Sequence, residues 1–206
     1  PVFVTKICAK TGDVVIGKNE DGSLYSYVCE HIWDSVTENH TATIKCINEA
    51  CTESVTLTAP TGELTYDGNA KEATINDCSE GCLINGAVPT ITYAVKSGET
   101  LESAPKDAGT YTASITMGEG ENAVTATVEF EIEKATLDLG TVTSNAMTDT
   151  LDMSHVLLSY QNQPLDGTLT LAEGTVLKYG THEYHWVFTP TDTTNYEQLT
   201  GTVEII

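Results

Sequence analysis

The ten residues AVTATVEFEI, numbered 123–132, determine the fold class of this chain. Every second side chain of the stretch is apolar. Side chains along a β-strand point alternately to the two faces of the sheet, so residues two apart share a face. One face therefore carries Val124, Ala126, Val128, Phe130 and Ile132, and the other carries Thr125, Thr127, Glu129 and Glu131. The pattern predicts an antiparallel strand with one face in the core and the other in water.

Similar alternation occurs in further segments, and turn residues separate these segments at short intervals. We expect strands at 110–116, 184–189 and 200–206. Turns are predicted where Asp, Asn, Ser and Gly cluster, because these residues tolerate the backbone conformations of turns. The predicted turns are 67–69, 85–86, 96–98, 107–109 and 166–167. The one candidate helix, 152–160, is expected to form a single turn or another strand, so the chain is predicted to be all-β.

The charge of the chain excludes two classes of partner. The sequence has 9 basic residues, all of them lysine, and 30 acidic residues, for a formal net charge of −21. Binding to nucleic acid depends on phosphate contacts from basic side chains, and anionic membrane surfaces repel an acidic chain. No apolar run approaches the roughly 20 residues that span a bilayer. We therefore expect no nucleic-acid partner and no membrane insertion.

An internal repeat predicts the domain organisation. Gly109-Thr110-Tyr111 opens one predicted strand, and Gly180-Thr181 followed by Tyr184 opens another. The tripeptide Thr-Val-Glu follows at 127–129 and at 202–204, so the separations are 71 and 75 residues (180 − 109 and 202 − 127). We expect three segments: a small β module with a Cys/His cluster at 1–58, and two β-sandwich modules at 59–134 and 135–206. Short linkers between them predict an elongated arrangement.

Several stretches resemble a known family of modules. LTYDGNAKEATI (64–75), KDAGTYTASI (106–115) and FEIEKA (130–135) resemble the bacterial Ig-like or MBG-type repeat. WVFTPTDTTNY (186–196) with GTVEI (201–205) is similar to the closing half of a sister repeat in the same proteins. CEHIWD (29–34) with ATIKCINEACTES (42–54) resembles a small Cys/His-containing module that often precedes such repeats. The resemblance implies tandem small Ig-like β-sandwich modules, with a β-grasp-like variant as the alternative.

The same resemblance implies a location and a role. Proteins with such repeats are secreted by Gram-positive bacteria or attached to their cell wall. We therefore expect an extracellular, monomeric and non-catalytic segment that acts as a structural spacer or an adhesion module, with an extracellular protein or glycan as its partner. The alternative is an accessory, carbohydrate-binding module of an extracellular carbohydrate-active enzyme whose catalytic domain lies outside this chain.

The cysteines carry the most specific chemistry in the sequence. Six cysteines lie at positions 8, 29, 46, 51, 78 and 82. Cys29, His31, Cys46 and Cys51 supply three sulfurs and an imidazole, a ligand set suited to tetrahedral zinc. A metal is one way in which a segment of about 58 residues with little core gains stability. The alternative is disulfides, which an exported protein and an even cysteine count favour.

Two small loops are the candidates for disulfides, one between Cys46 and Cys51 and one between Cys78 and Cys82. Each bridge would contribute little, because loop-closure entropy rises with loop length. Cys78 and Cys82 have no histidine nearby in the sequence, so a disulfide or free thiols are expected there. For the first module zinc and disulfides both stay open, and structural zinc is the only cofactor that the sequence predicts.

No motif predicts catalysis. A nucleophile requires a base within hydrogen-bond reach and a third group that orients the base. His155, His182 and His185 fit no such pattern, and His182 and His185 differ by an odd number, so we expect them on opposite faces of a strand. The acidic stretch GEGEN at 118–122 lies between two predicted strands and is expected to form a hairpin turn.

The aromatic side chains are expected to have structural roles. Tyr111 and Tyr184 lie in predicted strands, where aromatic rings usually fill the core of a sandwich. Tyr196, in TPTDTTNY, is expected to cap the end of the sandwich. No carbohydrate specificity follows from these positions.

Overall fold

The computed structural model describes residues 32–47, 54–76, 89–118, 120–145 and 151–206, together with the backbone of two strands at 14–18 and 24–28. The fold is all-β, as predicted, and its strands pair in antiparallel sheets. By their internal contacts the residues divide into two compact units. Unit 1 comprises Pro1–Leu64 and Ala70–Ile132, and unit 2 comprises Thr65–Asn69 and Glu133–Ile206. In the described part of the chain, no helix has the length and apolar character needed to cross a membrane.

The division into units lies close to one of the two predicted segment boundaries but not to the other. The division at Ile132/Glu133 lies two residues from the boundary expected after residue 134. At the other boundary, Thr74–Asn76 pairs with Ser54–Thr58, so residues from both sides of position 58/59 share a sheet within unit 1. The three-segment division as a whole stays a prediction.

Unit 1 contains ten described strands. They are β1 (Val14–Lys18), β2 (Leu24–Val28), β3 (Trp33–Glu38), β4 (Thr41–Cys46), β5 (Ser54–Thr58), β6 (Thr74–Asn76), β7 (Thr92–Val95), β8 (Thr100–Leu101), β9 (Gly109–Met117) and β10 (Val124–Ile132). β1 and β2 pair with each other, and the other strands form two four-stranded sheets with the orders β3-β4-β5-β6 and β10-β9-β7-β8.

The hairpin of β9 and β10 forms as the alternating pattern predicts. Val124 opposes Met117 and Ile132 opposes Gly109, and the turn at Gly120–Asn122 connects the two strands. Along β10 the even-numbered residues from Ala126 to Ile132 are buried, and every odd-numbered residue is exposed. The strand, its two faces and the hairpin turn are therefore confirmed.

The core of unit 1 lies between its two four-stranded sheets. β10 lies against β3, β4 and β5. The inner faces are apolar, with Ala42 and Ile44 on β4, Val55 and Leu57 on β5, Ala113 and Ile115 on β9, and Val128 and Phe130 on β10 all buried. Branched and aromatic side chains pack well on such pleated surfaces, and this burial produces a sandwich-like unit.

Unit 2 contains five strands among its described residues. They are β11 (Val142–Ser144), β12 (Leu158–Tyr160), β13 (Gly167–Leu171), β14 (His182–Pro190) and β15 (Leu199–Ile205). β13, β14 and β15 form a three-stranded sheet, and β11 pairs with β12. The strand predicted at 184–189 is confirmed as part of β14, and the strand predicted at 200–206 is confirmed up to Ile205, where β15 ends. The segment 152–160 contains a short 3₁₀ turn, Met153–His155, and then β12, so both alternatives expected for it occur.

A small apolar core holds unit 2 together. It is formed by Leu171, Leu177, Tyr184, Val203 and Ile205, with Val142, Val156, Leu158 and Trp186 packed against it. Residues from both sheets contribute, because β11 lies beside β15 and β12 lies beside β13. The strand pair β11–β12 and the sheet β13–β14–β15 therefore share one core.

Candidate functional site

The structure describes one of the four predicted zinc ligands. Cys46 ends β4 on the same face as Ala42 and Ile44, and its side chain is buried with a free thiol. Cys29, His31 and Cys51 lie outside the described residues, as do Cys78 and Cys82. Among the residues that the structure describes, no group of three or more His, Cys, Asp and Glu side chains could hold a metal ion. The zinc site stays a prediction.

The histidines of β14 do not form a shared site. His182 shares the strand face of the buried Tyr184, whose ring lies 6.3 Å away between centroids, and its Nε2 lies 3.0 Å from the carbonyl oxygen of Tyr179. His185 is exposed on the opposite face. The expected division of the two histidines between the faces is confirmed.

Three buried tyrosines tie their strands to the backbone of neighbouring segments. Tyr111 Oη donates to the carbonyl oxygen of Asp107 at 2.9 Å. Tyr93 Oη accepts from the amide of Ala73 at 3.0 Å, and Tyr184 Oη accepts from the amide of Lys178 at 2.8 Å. The core positions predicted for Tyr111 and Tyr184 are confirmed by exposures of 7% and 9%.

Burial also changes the acidity of two of these phenols. It raises the pKa of Tyr93 and the pKa of Tyr111 above the ordinary tyrosine value, because an apolar environment disfavours the phenolate. Nearby carboxylates, Glu72 for Tyr93 and Asp107 for Tyr111, act in the same direction. These tyrosines are therefore structural hydrogen-bonding groups that stay neutral at physiological pH.

The best-built polar cluster of the described chain lies in the turn of residues 192–197, here called the Asp192 turn. The Asp192 carboxylate accepts from the amides of Thr194 and Asn195, both at 3.1 Å, and from Asn195 Nδ2 at 2.9 Å. The Asn195 side chain is buried. A short aspartate side chain that accepts from amides two and three residues ahead is typical of a rigid turn.

The electrostatics of the Asp192 turn follow from these hydrogen bonds. The side-chain hydrogen bond from Asn195 is the largest cause of a lowered pKa at Asp192, and the backbone amides of Asn195 and Thr194 and the charge of Lys134 add to it. Donors that point at a carboxylate stabilise its charged form. The folded turn therefore favours the ionised form of Asp192.

The Asp192 turn holds the first residues of the longer segment of unit 2. The amide of Ala135 donates to the carbonyl oxygen of Asn195 at 2.8 Å, and the amide of Glu197 donates to that of Ala135 at 2.9 Å. Lys134 Nζ donates to the carbonyl oxygen of Thr193 at 2.7 Å. Lys134 and Ala135 are thereby fixed to the turn by side-chain and backbone bonds.

An aromatic pair completes this cluster. The ring of Tyr196 meets the ring of Tyr66 edge to face, with 5.4 Å between the centroids. The amide of Tyr66 donates to the carbonyl oxygen of Glu133 at 2.8 Å. Tyr196 thus packs where residues 65–69 and 133–135 of unit 2 converge, which agrees with the structural role expected for it.

A second polar feature is the outer face of the β9–β10 hairpin. Its hydroxyls pair across the strands, Ser114 with Thr127 and Thr116 with Thr125, each pair at 2.8 Å. Beyond them, Lys96 Nζ lies 2.8 Å from Glu129 Oε1 on the exposed surface. Such pairs stabilise a sheet surface modestly. This face is the solvent-exposed, hydroxyl-rich side of the hairpin.

Comparison with known proteins adds no relative. The chain matches no protein-family model, no curated protein and no solved structure.

The sequence pointed to only part of the Asp192 turn. It predicts a structural role for Tyr196 but none for Asp192, Asn195 or Lys134. The available signal is the Asp-x-x-Asn spacing at 192–195, which favours a turn in which the aspartate accepts from the amide three residues ahead. No local pattern indicates that Lys134 or Tyr66 reaches this turn, because both lie far from it along the chain.

Proposed function

We propose that this chain is a non-catalytic segment of a bacterial cell-surface or secreted protein, and that it acts as a structural spacer or an adhesion module. The observation that carries the proposal is the closing hairpin that both units share. In each unit a strand with a buried, hydrogen-bonded tyrosine, Tyr111 or Tyr184, pairs with a strand that contains Thr-Val-Glu. A hairpin that recurs in successive units is typical of tandem modules, and such modules commonly act as spacers.

The surface of the hairpins supports the same proposal. The outer faces of β10 and β15 carry threonines and glutamates, among them Glu129, Glu131 and Glu204. Charged side chains on a long strand keep it from pairing with other strands. A high negative charge also keeps an exported protein soluble and separate from its neighbours, which favours a monomer.

Cell-surface labelling tests the proposal. Antibodies raised against the recombinant chain are applied to intact and to permeabilised cells of the producing organism, and culture medium is blotted in parallel. We expect labelling of intact cells or protein in the medium, with an antibody against a cytoplasmic marker as the negative control. Labelling that requires permeabilisation, with none in the medium, would contradict an extracellular spacer.

The second candidate is an accessory carbohydrate-binding module of an extracellular enzyme. One observation favours it: the ring of Tyr179 is 74% exposed, in a segment where Val176 is 73% exposed. Exposed aromatic rings are surfaces on which sugar rings can stack. The partner would then be a glycan, and the catalytic domain would lie outside this chain.

A glycan array with the full chain separates the two candidates. The carbohydrate-binding candidate requires reproducible binding that Tyr179→Ala abolishes and Val176→Ala leaves in place. An array without binding favours the spacer. Binding that survives Tyr179→Ala would rule out this tyrosine as the sugar platform.

A further inference from the structure

Two segments of unit 2, 133–144 and 196–205, run side by side in the same direction. Ala135 and Tyr196 form a parallel bridge, with the hydrogen bonds from Ala135 to Asn195 and from Glu197 to Ala135 on its two sides. Further along, β11 lies beside β15, and Ser144 Oγ, which donates to the carbonyl oxygen of Asn145 at 3.0 Å, lies 3.4 Å from the carbonyl oxygen of Glu204. Nine positions separate Ala135 from Ser144, and eight separate Tyr196 from Glu204 (144 − 135 and 204 − 196). The two neighbouring segments therefore cover the same distance with nearly equal numbers of residues.

The beginning of this parallel run is reinforced by side chains. Lys134 Nζ bonds the carbonyl oxygen of Thr193, and the rigid Asp192 turn presents that carbonyl. On the other side, Thr65 forms a parallel bridge with Glu133. The entry of the chain at Glu133 is thus held by bonds from two neighbouring segments of the same unit.

The direction of the strands decides how such an arrangement responds to tension. Hydrogen bonds between paired strands run across the strand axis. When tension acts on the leading end of one strand and the trailing end of a parallel partner, the strands slide past each other and all the bonds are loaded together. When tension acts on two neighbouring ends, the bonds open one after another.

We propose that unit 2 is a load-bearing module, in which tension between Glu133 and Ile206 is resisted in shear by the hydrogen bonds at the Ala135–Tyr196 bridge and by the packing of β11 against β15. This inference rests on the proposed spacer function and deepens it, because a spacer on a cell surface transmits the force between what it anchors and what it contacts. The chain enters the parallel run at its Glu133 end and leaves at its Ile206 end, as shear loading requires.

Single-molecule pulling on the full chain tests the inference by changing only the direction of load. Handles are attached through p-azidophenylalanine at two exposed positions. One protein carries them at Glu133 and Ile206, which loads the run in shear. The matched protein carries them at Glu133 and Thr194, which lie at the same end of the run and peel it open. Circular dichroism of both proteins first checks that they fold.

We expect the Glu133–Ile206 pair to unfold at about twice the force of the Glu133–Thr194 pair or more, because forced unfolding follows the barrier along the direction of pulling. The gain in length, about 3.6 Å for each residue between the handles, identifies unit 2 as the part that unfolds. If Thr194 does not accept the handle, Thr193 serves as the second peeling position.

Equal forces for the two directions, or a weaker Glu133–Ile206 pair, would overturn the load-bearing role. That result leaves the spacer proposal standing, because the spacer is tested separately by surface labelling. Conversely, a protein found only inside cells would end the spacer proposal whatever the measured forces are.

Discussion

At the scale of single residues, a buried hydroxyl contributes to unit 1 through the hydrogen bond that it accepts. Tyr93 Oη is the acceptor for the amide of Ala73, and both residues are buried. We expect Tyr93→Phe to lower the free energy of unfolding of unit 1 by about 1–3 kcal/mol, because the Ala73 amide loses its acceptor. Urea denaturation measures the loss, and Tyr179→Phe, at an exposed position, should change little.

The same tyrosine makes a prediction about alkaline pH. Burial raises the pKa of Tyr93, so the unfolded chain releases its phenolic proton at a lower pH than the folded chain. The stability linked to the neutral phenol is therefore complete below the ordinary pKa of 10.0 and is lost as the pH rises toward the higher folded pKa. In stability measurements between pH 9 and 11, about one unit on either side of that value, Tyr93→Phe should show a shallower loss than the parent chain. Equal slopes would contradict the assignment.

Gly201 has no side chain because a tryptophan occupies that space. It lies on β15 opposite Trp186, and a Cβ at this position would contact Cζ2 and Cε2 of the indole. We expect Gly201→Ala to destabilise unit 2 by about 1–3 kcal/mol, a typical cost of overpacking. In a Trp186→Ala background the same change should cost much less, since the clash is gone. Additive costs in this double-mutant cycle would show that the indole is not the obstacle.

At the scale of elements, successive residues of β10 lie alternately on the buried and the exposed face of the sheet. Phe130 is buried against Tyr111, with 5.9 Å between the ring centroids, whereas the adjacent Glu131 is exposed. We expect Phe130→Ala to lower the free energy of unfolding of unit 1 by about 3–5 kcal/mol. Glu131→Ala should change it by less than about 0.5 kcal/mol. Similar effects at these neighbouring positions would contradict the assignment of faces.

The Asp192 turn is an element whose stability depends on one ionised carboxylate. Its lowered pKa means that the contribution of Asp192 is present above the ordinary value of 3.8 and is lost as the pH falls through the lower folded pKa. We expect Asp192→Ala to lower the melting temperature of unit 2 at neutral pH and to weaken its loss of stability in acid. Asp166→Ala removes the same charge from another exposed loop and is the control. An unchanged melting temperature would show that the turn does not need this carboxylate.

The two closing hairpins also differ in register. Tyr111 opposes Phe130, the residue after Thr-Val-Glu, whereas Tyr184 opposes Val203 inside that tripeptide. In unit 2 two additional residues separate Gly-Thr from the tyrosine, and this accounts for the two-residue shift. Because side chains alternate with a period of two, the shift leaves both tyrosines on the core face.

At the scale of the whole molecule, the division into two compact units predicts two separate unfolding transitions. Each unit has its own buried residues, and units of this kind generally unfold cooperatively by themselves. In differential scanning calorimetry, Phe130→Ala should shift one transition and Asp192→Ala the other. A single transition that both substitutions shift together would show that the units unfold as one.

The strands and turns could be predicted from the sequence, because the patterns that indicate them extend over only a few residues. Alternation in 123–132 identifies a strand and its buried face, and Asp, Asn and Gly clusters identify turns, since both signals act over a few residues. The core positions of Tyr111 and Tyr184 are predictable for the same reason. A zinc site cannot be predicted in the same way. Its ligands lie far apart along the chain, and only the tertiary structure can bring them together around a metal.

The sequence by itself determined that this protein is all-β and acidic, with strands whose faces are assigned by alternation. Only the tertiary structure decided which strands meet: Thr74–Asn76 joins the sheet of β5, Thr65–Asn69 belongs to unit 2, and Ala135 pairs with Tyr196 in parallel. The physical reason is that these contacts depend on backbone amides and carbonyls, which nearly every residue carries alike, so long-range pairing leaves no pattern in the side chains.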